Sequence, residues 1–248
     1  METPEKENHA HHTLTEHLVE LRIRVVYALY GLVLGMGISI TQSEKLMDFM
    51  REPIKPYLPS GGLVFTAVLE KFLAHLKVSL LAGAILTAPW WLYQVWCFIA
   101  PGLYRKERRY AVTFLLSGTL LFLVGAAFAY KLVFPPAFKY LLGFGGTTDV
   151  PMITIGEYIS FFVTTTLVFG AAFELPLVLV TLGMLGVIDS DTLKKNRRYA
   201  VVGLAVVSAV VTPPDALSML MLLAPLVFLY EISIWLLVFF QKKRGNSL

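Results

Sequence analysis

From Tyr93 to Tyr110 the chain reads YQVWCFIAPGLYRKERRY. It leaves an apolar run through aromatics, turns at Pro101-Gly102, and ends in Arg105, Lys106, Arg108 and Arg109 around one carboxylate, Glu107. Apolar runs of membrane length lie on both sides. A basic cap between two such runs reads as a short loop joining two membrane-spanning helices at one bilayer face. The acid inside it is where a mostly apolar chain can meet a polar partner.

Of 248 residues, 56% are hydrophobic and 15% charged, against about 25% charged in a soluble domain. That leaves too little polar surface to cover a water-soluble globule. In lipid the backbone must satisfy itself, so spans are helices or a closed barrel. The apolar runs here are long and continuous rather than short and alternating, which selects helices. The expected fold class is all-α, a polytopic membrane protein. A net charge of +4 needs no nucleic-acid partner, because Lys and Arg concentrated at one membrane face produce it. The single cysteine, Cys97, allows neither an internal disulfide nor a thiolate metal cluster. Both charge signs occur before the first apolar run and no small-residue cleavage site follows it, so it reads as a retained span.

The organisation expected is a disordered polar tail, 1–12, a single membrane domain, 13–241, and a basic tail, 242–248. His9, His11 and His12 read as a solvated tail rather than a metal site. Thr13 to Glu16 offers a capping box. Leu14, Leu18, Leu21 and Val25 then form one apolar face with Glu16 and Glu20 opposite, so this helix should lie in the interface before entering the bilayer. Six spans are expected, at about 23–40, 78–96, 110–134, 155–185, 199–211 and 216–240. Pro89 should kink the second, and Pro135-Pro136 should end the third. Segments 43–51 and 66–77 of the first outer loop should be short amphipathic helices. In the second outer loop, Gly-Phe-Gly-Gly at 143–146 lacks the strand and helix of a nucleotide site. Residues 199–211 reach about 20 Å, short of the roughly 30 Å hydrocarbon core. Thr212-Pro213-Pro214-Asp215 turns the chain directly into the sixth span, which is short too if Glu231 sits at the interface. Two short spans imply a thinned bilayer; a re-entrant hairpin is the other reading. Fourteen of the 21 Lys and Arg fall at one set of loop ends, and the other seven are spread over the longer opposite loops. Both termini are therefore expected in the cytoplasm.

No catalytic grammar is present: no phosphate-binding loop, no H-E-x-x-H, no G-x-S-x-G. What remains is carboxylates in unusual places. Glu107 either offsets the basics around it or accepts a guanidinium through two parallel hydrogen bonds. Glu20 precedes Arg24 by four residues, a helix pair in itself, but with Glu107 it makes two carboxylates at one face that could clamp a two-arginine ligand. Glu174 lies in an uncharged stretch from Tyr158 to Ile188. At the bilayer centre a charge costs roughly 2.5–3.5 kcal/mol, so this residue is neutral, or it faces a wet cavity or a partner. Asp215 is accounted for as the helix N-cap of the sixth span.

Four segments carry a resemblance: TEHLVELRIR at 15–24, APWWLYQVWCFIAPGLYRKERR at 88–109, AFELP at 172–176 and TPPD at 212–215. In order, spacing and span plan they resemble the TatC subunit of the twin-arginine protein translocase, over about residues 13–241. The resemblance implies a receptor rather than an enzyme, with no cofactor, in the bacterial cytoplasmic (inner) membrane. It also implies a concave, glove-like bundle. Such proteins bind the S-R-R-x-F-L-K-like signal peptides of folded cargo and recruit TatA- and TatB-type single-span partners for export driven by the proton-motive force. Self-association in a larger complex is part of that picture. Carried over by motif, Glu20 and Glu107 would accept the paired arginines, with Phe98 shaping the site and Arg22 supporting it. Glu174 matches the family's mid-membrane acid. The short fifth and sixth spans, with Thr212, Asp215 and Met219, match its partner-binding edge. Two departures stand out: Met219 occupies a position where the family commonly has glutamine, and Glu70-Lys71-Phe72 stands where it often has E-P-F.

The alternative from another class is a proton-coupled small-solute transporter using Glu174. A repeat-type transporter would show two similar halves with matching broken helices; Pro89 and Pro176 fall in non-corresponding spans, and the halves differ in charge pattern.

Overall fold

The apolar runs fold as helices, and several of the breaks between them fall beside proline or glycine. The computed structural model describes residues 14–58, 62–99, 111–143, 151–184, 186–211 and 216–245. In chain order the α-helices are α1 (Leu14–Ser39), α2 (Ser43–Arg51), α3 (Glu70–Leu86), α4 (Ala88–Ile99), α5 (Ala111–Phe128), α6 (Phe134–Gly143), α7 (Ile155–Phe173), α8 (Leu175–Met184), α9 (Ser190–Lys195), α10 (Arg197–Val211) and α11 (Ala216–Gly245). Among the described residues the only β pairing is an isolated bridge, Val64 with Thr154. Four stretches are long and apolar enough to cross a membrane: Leu18–Arg51, Val112–Gly143, Ile155–Gly183 and Met219–Gln241. A fifth forms if α3 and α4, bent by 62° at their junction, count as one broken span. The chain is a multi-pass, all-helical membrane protein.

The predicted kink at Pro89 is present, and its hydrogen bonds can be followed. Pro89 has no N–H to return to Ile85. The chain breaks at Thr87, whose N–H and hydroxyl both donate to Gly83 O, at 2.9 and 2.8 Å. The Trp91 indole N–H then donates to Ala84 O at 3.0 Å, so a carbonyl at the bend regains a partner. Trp90 turns the other way, lies against Gly31, and donates to Tyr27 O of α1 at 2.9 Å.

Helix α1 runs unbroken for 26 residues, about 39 Å. Glu20, Arg24, Ala28, Gly31, Gly35 and Ser39 recur on the face turned to the bundle, while the apolar residues between them are largely exposed, as a lipid-facing surface requires. α1 packs on α3 and α4, α5 on α7, and α11 on α8 and α10. Glycines permit the closest crossings. A Cβ on Gly35 would sit 2.7 Å from Gly83 O, and one on Gly125 2.6 Å from Phe169 O.

Two expectations are corrected. Pro135-Pro136 does not end the third span: the backbone widens to a π-helical turn at Ala129–Val133, and α6 continues to Gly143. The change of register places both prolines in the first turn of α6, where a missing N–H is tolerated. Segment 66–77 is not a separate surface helix either, since α3 starts at Glu70 and runs straight into the apolar stretch. Segment 43–51 does form the amphipathic helix expected, α2, burying Met47 and Met50. These pack into an aromatic core with Phe134, Phe138, Tyr158 and Phe162. Tyr130 and Tyr158 donate their hydroxyls to Phe49 O and Met50 O.

Glu70 clasps this end of the molecule. Its Oε2 accepts from Thr66 N at 2.7 Å and Ala67 N at 3.3 Å, and its Oε1 accepts from Gly156 N at 2.8 Å. Beside it, Val64 pairs with the entry to α7 through Val64 N to Ile153 O, 3.0 Å, and Ile155 N to Val64 O, 2.7 Å. The N–H groups of Thr66 and Gly156 hold the carboxyl at about 2, below its ordinary 4.5. A carboxyl with a depressed folded-state value stabilises the fold above its unfolded value and loses that contribution as pH falls through the folded one. Thermal melting in detergent should therefore drop between about pH 4.5 and 2, and Glu70→Gln should flatten that part of the profile.

Candidate functional site

At the end of α1 where the chain enters, Glu20 and Arg24 stand one turn apart on the bundle-facing side. Arg24 Nη2 meets Glu20 Oε1 at 3.5 Å, and Arg24 Nη1 donates to Gln94 Oε1 of α4 at 3.4 Å. Gln94 is only 3% exposed. One turn further along α4 lies half-buried Phe98, and Arg22 is exposed. The structure thus brings Glu20 and the last turns of α4 together. Glu107, eight residues beyond Ile99, lies outside the described residues, as do the Pro101-Gly102 turn and the basics around it. So do Thr13 and the tail histidines.

The second feature is Glu174. Pro176 cannot donate to the carbonyl of Ala172, so the helix breaks at Glu174, between α7 and α8. The side chain enters a cavity of about 60 Å³ between α4, α5 and α8, lined by Trp96, Phe114, Gly118, Leu177 and Thr181. Trp96 stacks on Phe114 with ring centres 4.5 Å apart, closing one wall. Gly118 leaves room: a Cβ there would lie 3.2 Å from Glu174 Oε2. Glu174 Oε1 is buried and has no hydrogen-bond partner among the described residues. A wider apolar groove of about 750 Å³, between α5, α8 and α11, shares Phe114 and Leu177 with this cavity.

At the third feature, α10 is 15 residues long, about 22 Å. Its first residue, Arg197, donates to Glu231 of α11 at 2.8 Å. That ion pair sets Glu231 level with the start of α10, so α10 and the part of α11 before Glu231 are matched in length. Met219 is half-buried on α11; Thr212 and Asp215 lie outside the described residues. Tyr199, Val202, Val206 and Val210 form an exposed apolar stripe on α10.

The chain has relatives among known proteins. The family model for the Sec-independent protein translocase protein TatC matches residues 16–225. The chain belongs to the TatC family. A TatC protein of Desulforapulum autotrophicum is 40% identical over 94% of this chain and 87% of its own length. That of Escherichia coli K12 is 36% identical, over 94% and 91%. A crystal structure of the twin-arginine translocase receptor TatC superimposes with a TM-score of 0.83 at 38% identity, covering 90% of this chain and 99% of that one. The resemblance drawn from the four motifs is thereby established, and this TatC chain is a component of a protein translocase.

Sequence reasoning missed the roles of two residues of this TatC chain. Gln94 is a lone amide in the apolar run WWLYQVW, and that isolation was the available signal. Glu70 was named in Glu70-Lys71-Phe72, but its clasp was not read, because its partners are backbone N–H groups brought in by the fold.

Proposed function

We propose that this chain is the receptor subunit of the twin-arginine translocase. It spans the bacterial cytoplasmic membrane six times with both termini in the cytoplasm, α10 and α11 supplying the short fifth and sixth spans, and the bundle is a concave glove. Glu20 and Glu107 accept the two guanidinium groups of a signal peptide, with Phe98 and Arg22 at the rim. Single-span TatA- and TatB-type partners dock at the edge near Met219, and the proton-motive force drives export of the folded cargo.

The observation that carries this reading is the placement of Glu20. Its carboxylate meets Arg24, which reaches Gln94 of α4, at the end from which the basic cap departs, and Glu20 is less exposed than neighbouring Leu18 and Val19. Two carboxylates at a basic membrane face suit a ligand with two adjacent forks: each pair can be bidentate, and lysine cannot reproduce that geometry.

The test is binding of labelled peptides carrying RR or KK to the purified full-length protein. Hydrogen bonds to charged groups contribute about 1.5–3 kcal/mol each. Glu20→Gln and Glu107→Gln should therefore each weaken RR binding by at least about tenfold and lower the preference for RR over KK. Equal RR and KK affinities in the unaltered protein would refute the receptor reading.

A further inference from the structure

We infer that Arg24 and Gln94 are the positioning pair of the guanidinium site: Gln94 holds Arg24, and Arg24 sets the carboxylate of Glu20 for a ligand's arginine. This rests on the receptor reading of Glu20 and adds to it the source of arginine selectivity.

Packing cannot fix Glu20. Among the described residues around it, Leu18, Val19, Leu21 and Ile23 are 64%, 57%, 39% and 47% exposed, so none of these four anchors this end of α1 on the bundle. The nearest tether toward the middle of α1 is the Trp90 bond to Tyr27 O. Past it, Arg24 bridges to α4. Its two terminal nitrogens divide between Glu20 Oε1 and Gln94 Oε1, and its Nε is buried without a partner. A guanidinium held in that way is restrained between the two helices, and it restrains the carboxylate in turn.

The distances of 3.5 and 3.4 Å exceed the 2.7–2.9 Å typical of a fully engaged charge-assisted bond. The triad is loose, with room to tighten when a second guanidinium arrives. Arg24 occupies Glu20 through Oε1, and a carboxylate offers about four lone-pair sites, so it can serve both guanidiniums.

Electrostatics gives Arg24 a second effect. Its charge offsets that of Glu20 and so weakens the attraction for any cation. A lysine ligand, a hydrated point charge, depends on that attraction alone, whereas an arginine ligand also gains from fork geometry. The internal arginine thus shifts selection at this site from charge to shape.

The experiment measures the ratio of RR to KK affinity by fluorescence anisotropy on the purified full-length protein in detergent, with thermal melting as the check on folding. Gln94→Leu removes the tether and leaves every charge in place; the ratio should fall at least about fivefold, since the hydrogen bond it removes involves a charged group. Gln94→Glu keeps the acceptor but adds a negative charge that offsets Arg24, so it should raise KK affinity and lower the ratio. Arg24→Lys, at a partly exposed position that does not endanger the fold, keeps the charge but cannot span both partners, and the ratio should fall as in Gln94→Leu. Arg24→Gln should raise KK affinity while lowering the ratio. If Glu20→Gln abolishes the RR preference while Gln94→Leu and Arg24→Lys keep it, the receptor site stands and the positioning role is overturned. If Glu20→Gln keeps the preference, the site lies elsewhere and the inference falls with it.

Discussion

Gly83→Leu is expected to abolish the folded protein in detergent, whereas Gly37→Leu leaves it unchanged. A Cβ at position 83 would lie 2.5 Å from Met36 N and 2.7 Å from the carbonyl carbon of Gly35. Both are backbone atoms of a helix and cannot rotate aside. Without a hydrophobic drive between helices in lipid, small residues that let backbones meet are what hold a crossing together. Overpacking commonly costs about 1–3 kcal/mol and more where nothing can give; this crossing belongs to the second case. Most apolar residues of α1 face away from the bundle, so its attachment depends on the Gly35–Gly83 contact and the Trp90 seat on Gly31. If the variant survives at all, α1 should detach and binding of an RR peptide should vanish with it. At Gly37 nothing lies within 4 Å of an added Cβ, so the same leucine there only adds to the lipid-facing surface. The measurement is the yield of monodisperse protein and its melting temperature. A Gly83→Leu protein that melts like the parent would show that α1 is held by something other than this crossing.

Much of this architecture was legible in the sequence, because length and hydropathy are what a bilayer selects. The run from Ile155 to Leu185 emerges as α7 and α8, and the amphipathic 43–51 as α2. Proline was read correctly at Pro89, where the helix bends, and wrongly at Pro135-Pro136. There the π-helical turn absorbs the lost donors, and no local pattern announces such a turn. The site was legible by half. The Glu20–Arg24 pair follows from a four-residue offset on one helix, and it forms. The bond from Arg24 to Gln94 spans 70 positions and exists only because the Gly35–Gly83 crossing sets the angle between α1 and the broken α3–α4 pair. The clasp made by Glu70 was equally hidden, since a carboxylate that holds backbone N–H groups needs no complementary side chain in the sequence.

Glu174→Gln is expected to fold at least as well as the parent and to slow export more than tenfold. The carboxyl sits where Pro176 forces the break between α7 and α8, in a cavity whose other walls are almost wholly apolar, and its Oε1 has no partner among the described residues. A buried polar atom left unpaired costs about 1–3 kcal/mol, so the resting molecule gains nothing from it. Residues that break a local rule without a compensating gain in stability mark positions kept for function. Glutamine preserves the shape and can still accept a hydrogen bond, but it can neither carry charge nor exchange a proton. Leucine would go further, removing the unpaired atom altogether, and should raise the melting temperature while leaving export as slow as in the glutamine variant. The two measurements, melting of the purified chain and export rate of a folded cargo in cells, must move apart for this account to hold. A Glu174→Gln protein that fails to fold would make the residue a structural element of the α7–α8 break. One that folds and exports at the parental rate would remove it from the transport cycle. The cavity gives the reason to expect neither outcome: its walls are apolar and Oε1 has no partner among the described residues, and Gly118 admits the carboxyl where a Cβ would crowd it at 3.2 Å.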